Sequence, residues 1–281
     1  MSQLPARLTR TLFAALGSRT ERVALGGFDL AVHRLGRPGG EPWVLLHGLG
    51  ATGATFLPLL PALRREADLV VPELSETGGS HGPAPSLAVA DAVPLVAGLA
   101  HRLFPGRAVT LGGASLGGWV ALRLALAEPG LAARLFLVAP GGYRDQDWER
   151  VAGAVTVASR ADAHRVLGAL FARPPWALRL LPGAIERLYR AAPVRHLLSG
   201  ALRPEDAFGD AELARIAAPA ALLWGERDGI FPLSTGEAMA RALPCATLYP
   251  VPGAAHLPHW ERRRACVAAL ADFRRRHPVP A

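Results

Sequence analysis

Gly113-Ala114-Ser115-Leu116-Gly117 decides the reading of this chain. It follows the apolar run Ala108-Val109-Thr110-Leu111 and precedes Trp119–Ala127, an apolar run of helical length. A serine with glycine two residues to each side, at a strand-to-helix junction, fits a nucleophile elbow, the strained turn that lifts a serine Oγ out of the backbone. Glycine suits both flanks because a Cβ there would meet the neighbouring strand or helix. The start of the helix aims backbone N–H groups at any oxyanion formed nearby. The same five-residue pattern also occurs in β–α turns without chemistry, so its meaning depends on what the rest of the chain supplies.

Strands and helices alternate around this junction. Arg22–Leu25 and Phe28–Leu35 read as a hairpin turned at Gly26-Gly27. Trp43–Leu46 reads as a short strand buried on both faces, 68–71 as the next strand, and Arg134–Val138 as another buried strand. Residues 55–67 and 86–103 read as helices, the second despite Pro94, and the helix after Ser115 stops at Pro129-Gly130. Residues 1–20 read as a helix that docks on the body through Leu4, Leu8, Leu12 and Leu16, with a surface-lipid contact as the alternative. From 141 to about 212 the pattern changes to helical patches cut by Pro174-Pro175, Pro182, Pro193 and Pro204. Alternation resumes with Ala220–Trp224, a helix near 234–242, the strand Ala246–Val251 and a last helix over about 258–276. The expectation is an α/β fold: a mostly parallel twisted sheet with helices on both faces. Its core spans 1–140 and 213–281, with an α-helical cap insertion over 141–212.

Composition narrows the function. Apolar residues make up 51% of 281, enough to bury a large core, and no apolar run approaches the roughly 18 residues a membrane span needs. The run Thr11–Leu16 is too short for a signal peptide, which predicts a cytoplasmic protein. Cys245 and Cys266 have neither metal nor redox spacing and read as small core groups. No phosphate loop or metal motif occurs, so no cofactor and no metal are expected. The net charge of +8 comes from arginine alone, since lysine is absent. The clusters Arg262–Arg264 and Arg274–Arg276 read as a solvated face of the last helix. A sharper reading is attraction to lipid headgroups or to an acyl group on an acidic carrier protein. No aromatic residues interleave with them, which argues against nucleic acid.

Acyl transfer through serine needs a base, an acid to orient it, oxyanion donors and an acyl pocket. Asp228 lies just after the strand Ala220–Trp224, where α/β sheets place their sites, with Glu226 as backup. His256 follows the last strand, with His259 as competitor at the start of the final helix. The Ser…Asp…His order favours Ser115, Asp228 and His256 as the catalytic set. The N–H groups of Leu49 and Leu116 are the oxyanion donors, Gly48 and Gly50 allowing close approach. From the insertion, Trp148, Phe171, Trp176, Leu178, Leu180 and Leu181, then Ile185, Leu188 and Tyr189, could line an apolar pocket or bury the cap against the core. Leu257, beside the histidine, joins the pocket residues.

Together these segments resemble the α/β-hydrolase superfamily over about residues 20–275. His47-Gly48-Leu49-Gly50 is similar to its HGxG loop, and Pro72-Glu73-Leu74 with Gly78-Gly79-Ser80 to its PDLxGxGxS segment. Trp224–Pro232 is similar to WGxxDxxxP, and the glycine-then-histidine end falls at His256. Glu73 replaces the usual aspartate, Glu76 stands where glycine is common, and Ala255 replaces the glycine before the histidine. The resemblance implies hydrolysis through an acyl-enzyme. Serine rather than aspartate at the elbow argues against epoxide hydrolases and haloalkane dehalogenases. Meta-cleavage C–C hydrolases look similar, but that branch usually has Asn and Trp where Ala114 and Leu257 stand. The Leu137–Gly142 junction and Pro174-Pro175 look most like monoacylglycerol-lipase-type and general carboxylesterase branches. The expected activity is therefore a carboxylic ester hydrolase acting on apolar acyl groups. The alternatives are a C–C hydrolase, an acyl thioesterase, or a binding scaffold without activity.

Overall fold

A computed structural model describes residues 4–144, 147–179, 182–201 and 204–279. Its centre is an eight-stranded sheet in the order β1-β2-β4-β3-β5-β6-β7-β8. These strands are β1 (Arg19–Leu25), β2 (Phe28–Gly36), β3 (Glu41–Leu46), β4 (Ala67–Pro72), β5 (Val109–Ala114), β6 (Ala132–Val138), β7 (Ala220–Gly225) and β8 (Ala246–Val251). β1 and β2 form the hairpin, β2 runs antiparallel to β4, and the remaining pairs are parallel. Alternation along the central strands sorts side chains into two cores. Val44, Leu46, Leu111 and Leu135 join one core, under α3 (Val89–Leu103) and α4 (Leu116–Ala127). Trp43, Leu45, Phe136 and Leu223 join the other, with Phe13, Leu60 and Phe273. Helices therefore cover both faces, and the α/β-hydrolase architecture expected from the sequence is the one observed.

Local chemistry explains where elements depart from expectation. Residues 55–67 form no continuous helix. A 3₁₀ turn at Gly53–Phe56 and the single turn α2 (Leu60–Leu63) replace it, because Pro58 and Pro61 interrupt the backbone hydrogen bonding. The N-terminal helix α1 is Leu4–Ala15, and Arg19 already opens β1. It docks through Ala6, Thr9 and Phe13, whose ring stacks on His33 at 4.3 Å. Leu8 and Leu12 face outward, contrary to the leucine stripe expected to dock. Positions 6, 9 and 13 share a helix face that 8 and 12 do not. Leu16 is partly buried against the second core; the Leu4 side chain lies outside the described residues.

Between β6 and β7 the described residues carry α5 (Trp148–Val155), α6 (Arg160–Leu170), α7 (Trp176–Arg179), α8 (Pro182–Tyr189), α9 (Ala192–His196) and α10 (Asp210–Leu213). After β7 come α11 (Leu233–Ala242) and, past β8, α12 (Pro258–Glu261) and α13 (Arg263–Arg276). The last helix thus breaks at Arg262, whose guanidinium turns back to the Pro252 and Gly253 carbonyls. Arg262, Arg263 and Arg264 are exposed, but the second arginine cluster is not a simple solvated face. Arg274 bonds the buried Glu41 at 2.9 Å and pairs with Glu66 at 2.8 Å. Glu41 also holds Arg134, which is itself buried; that burial lowers the guanidinium to about 10, Arg274 adding to the effect. Arg275 and Arg276 pair with Asp272.

Candidate active site

β3, β5, β7 and β8 are mutually parallel, so the loops at their C-terminal ends gather on one edge of the sheet. Ser115 stands between β5 and α4 at φ 52°, ψ −116°, a conformation that non-glycine residues rarely adopt. Bonds from Ser115 N–H to the Val138 carbonyl (3.0 Å) and from Trp119 and Gly141 N–H to the Ser115 carbonyl hold it there. The two flanking glycines are dictated by space. A Cβ on Gly113 would meet the Gly117 carbonyl, and one on Gly117 would meet the Leu46 carbonyl at the end of β3.

Asp228 follows β7 and is buried. Its Oδ1 accepts from the N–H groups of Ile230 (2.8 Å) and Phe231 (2.9 Å), which fixes the carboxylate plane. Its Oδ2 lies 2.8 Å from His256 Nδ1. Nδ1 is accordingly the donor of that pair, leaving Nε2 as the free acceptor. Phe231 packs edge-on against the imidazole at 5.4 Å. Glu226, the other acidic candidate, instead accepts from Gly253 N–H at 3.4 Å. His259 is fully buried and turns Nε2 to the Thr55 carbonyl at 2.9 Å. Burial, with His256 nearby, pulls it down to about 4 against the opposing effect of that hydrogen bond, so it stays neutral at ordinary pH.

Ser115, His256, Leu49 and Leu116 all line one cavity of about 320 Å³. No hydrogen bond joins Ser115 Oγ to His256 among those of the described residues; such contacts often close only when substrate binds. Leu49 and Leu116 N–H donate to no protein acceptor among the described residues. The rest of the lining is overwhelmingly apolar. None of the described lining residues is Arg, Asp or Glu. Trp148, Phe171 and Leu257 line it as the sequence suggests, as do Leu178, Ile185, Leu188 and Tyr189. Leu180 and Leu181 lie outside the described residues. Trp176 does not line it: α7 is one turn long, Leu178 takes the inward place, and Trp176 is 75% exposed.

Sequence reasoning missed several contributors. Trp119, one turn after Ser115 on α4, and Ile230 and Phe231, just past Asp228, also line the cavity. Their spacing from the two candidate residues was the available signal. Glu261 gave no such signal. Its carboxylate accepts from Ala255 N–H (2.7 Å), Ala172 N–H (3.2 Å) and Arg173 N–H (2.9 Å), tying the His256 loop to the helical segment above it.

A chain with this sheet order and this loop edge has clear relatives. The α/β-hydrolase-fold family model matches residues 41–263, and the chain belongs to that family. It is 32% identical over 255 residues to the pimeloyl-[acyl-carrier protein] methyl ester esterase of Chromobacterium violaceum, covering 87% of this chain and 97% of that one. Among solved structures it is similar to a thermophilic esterase from Thermogutta terrifontis, with TM-score 0.73, 26% identity, and coverage of 92% and 99%. It also shares the fold of 2-hydroxy-6-oxo-6-phenylhexa-2,4-dienoate hydrolase from Rhodococcus, with TM-score 0.79, 22% identity, and coverage of 92% and 99%.

Proposed function

We propose that the protein is a serine carboxylesterase that hydrolyses esters of apolar acyl groups. Ser115 is the nucleophile, His256 the general base and Asp228 its orienting acid. The segment 141–212 is the cap that closes the acyl pocket. One observation carries the reading: Asp228 holds His256 Nδ1 at 2.8 Å, and the same cavity receives both His256 and Ser115.

The chemistry follows from that placement. Ser115 Oγ adds to the ester carbonyl carbon as its proton passes to His256 Nε2. Asp228 stabilises the imidazolium, and the Leu49 and Leu116 N–H groups bind the oxyanion, each donor being worth about 2.7–4 kcal/mol of barrier. The C–O bond then breaks as the imidazolium returns its proton to the departing alkoxide. Water attacks the acyl-enzyme, gives a proton to His256, and the acid leaves as that proton returns to Ser115 Oγ.

The apolar lining separates this reading from its nearest rival. A dienoate carries a carboxylate that a C–C hydrolase must hold, and the described lining offers no guanidinium for it. The curated relative named above favours a second reading of the alcohol and acyl parts: a methyl ester whose acyl chain is attached to a carrier protein. A rate series over p-nitrophenyl esters of increasing acyl length tests the proposal. It is run beside an acyl methyl ester free and carrier-linked, an acyl thioester and a 2-hydroxy-6-oxo-dienoate. Esters with several methylenes should outpace acetate, the thioester and the dienoate. A carrier-linked methyl ester cleaved much faster than the free one would select the second reading, and preferred dienoate cleavage would overturn both.

A further inference from the structure

Tyr189, on α8, lines the cavity and is 7% exposed. The other described lining residues between β6 and β7 are glycine, aliphatic or aromatic, and of these Trp148 alone carries a polar side-chain atom. Its indole N–H is spent on the Arg144 carbonyl at 3.2 Å. Trp119, reaching the cavity from α4, spends its own on the Asp206 carbonyl at 3.2 Å. The Tyr189 hydroxyl has no such partner: it forms no hydrogen bond among the described residues. Nor is it sealed away. The buried side-chain atoms closed off from both partner and solvent are Glu21 Oε1, Glu73 Oε2 and His259 Nδ1. A phenol this deeply buried, unpaired and yet not sealed, opens onto the cavity that its residue lines.

The hydroxyl is equipped to bind. Burial alone pushes the phenol up to about 12, with no charge or hydrogen bond opposing it, so it keeps its proton at ordinary pH and can donate. Leaving a hydroxyl unpaired in an apolar site is costly, and a ligand oxygen that pairs with it removes that cost. The ligand oxygen should be neutral. A carboxylate buried here would find no arginine in the described lining to offset its charge. Ser115, Leu49 and Leu116 sit on the loops of the sheet edge, whereas Tyr189 comes from the segment between β6 and β7. The reacting carbonyl and the phenol are therefore met by different parts of one ligand.

We propose that Tyr189 is a specificity residue that recognises a neutral oxygen, a keto or hydroxyl group, on the acyl chain of the ester and away from the scissile carbonyl. This rests on the esterase reading, with 141–212 as the cap over the acyl pocket. The preferred substrate is then a mostly apolar ester with one internal hydrogen-bonding oxygen, not a plain fatty ester. Tyr189 moves no proton in the reaction. It favours chains whose oxygen falls in register with it, since a misplaced oxygen stays buried without a partner and so does the phenol. A phenol that merely holds a water would show no such register.

The p-nitrophenyl esters of 4-, 5-, 6- and 7-oxo-octanoate test this. The four isomers have the same composition, so their cost of leaving water is nearly equal and only the position of the oxygen differs. In the wild type kcat/KM should differ by about tenfold between the best-placed isomer and the worst. Tyr189→Phe should flatten that profile to within about twofold. Ratios between isomers within one enzyme preparation are independent of how much of it is folded. A flat profile in the wild type overturns the proposal, and so does a profile that Tyr189→Phe leaves unchanged or lowers equally for all four isomers. A parallel titration separates this from the esterase reading. Ser115→Ala and Ser115→Ala/Tyr189→Phe are titrated with the same four esters, and binding is read by quenching of tryptophan fluorescence, Trp119 and Trp148 both lining the cavity. The dissociation constants should show the same positional contrast, lost in the double variant. A wild type that cleaves none of the esters while this contrast in binding holds defeats the esterase reading and leaves the Tyr189 site standing. Cleavage without any contrast does the reverse.

Discussion

Asp228 with His256 and Glu73 with His33 are both buried carboxylate–histidine pairs, the first 2.8 Å and the second 3.1 Å apart. Their surroundings differ at the far side of the ring. His256 lines the same cavity as Ser115, and no hydrogen bond among the described residues occupies its Nε2. His33 has Nδ1 occupied by Thr20 Oγ1 at 2.8 Å and its ring covered by Phe13. Glu73 also accepts from Gly53 N–H at 3.0 Å, just past the Leu49 loop, and its Oε2, without a hydrogen-bond partner, lies 3.4 Å from His47 Nε2. A carboxylate–histidine pair with one open end can move a proton. A pair whose imidazole is occupied on both nitrogens only holds loops in place.

Substitution should separate the two. Asp228→Asn should lower kcat by about 10⁴-fold, because the amide no longer selects the tautomer that leaves His256 Nε2 free, while the protein stays folded. Glu226→Gln should leave kcat within about twofold of wild type; the reverse ranking would move the orienting acid to Glu226. Glu73→Ala should cost about 3–5 kcal/mol in denaturant unfolding, since it leaves the buried His33 Nε2 and Gly53 N–H unpaired. The milder Glu73→Gln should keep kcat within about tenfold. A loss near that of Asp228→Asn would show that the closed pair takes part in the chemistry.

His259 offers a smaller, pH-dependent contrast. Burial lowers it to about 4 from the ordinary 6.5, so between those values the unfolded chain binds the proton more tightly. Its contribution is full above pH 6.5 and is lost as pH falls toward 4, on the order of 2–3 kcal/mol. His259→Gln keeps a donor for the Thr55 carbonyl but does not titrate. Its unfolding free energy should fall less steeply between pH 6.5 and 4 than that of the wild type, with ester turnover at neutral pH little changed. Equal slopes would contradict the neutral, buried assignment.

What could be read without coordinates depended on whether the cause was local. The buried strands and the glycines around Ser115 follow from short-range sterics and periodicity, and they fall where expected. Asp228 and His256 were reachable because parallel strands deliver their C-terminal loops to one edge. Glu73–His33 was not reachable as a pair, because 40 residues separate its members; the segment around Glu73 marks that residue but nothing in it points to His33. The outward turn of Leu8 and Leu12 was missed for a related reason. A four-residue leucine spacing shows which residues share a stripe, but Phe13 against His33 decides which face docks. Arg274 read as solvated because its partners Glu41 and Glu66 come from the far end of the chain.

Ser115 as the nucleophile is the central claim, and covalent labelling tests it most directly. Treatment with a fluorophosphonate followed by peptide mass spectrometry should place one adduct per chain on Ser115. Ser115→Ala should take up no label, keep the wild-type fold and lose p-nitrophenyl ester turnover by about 10⁴-fold or more. An adduct on another residue, or a Ser115→Ala variant that still turns over ester at a rate near wild type, would contradict it.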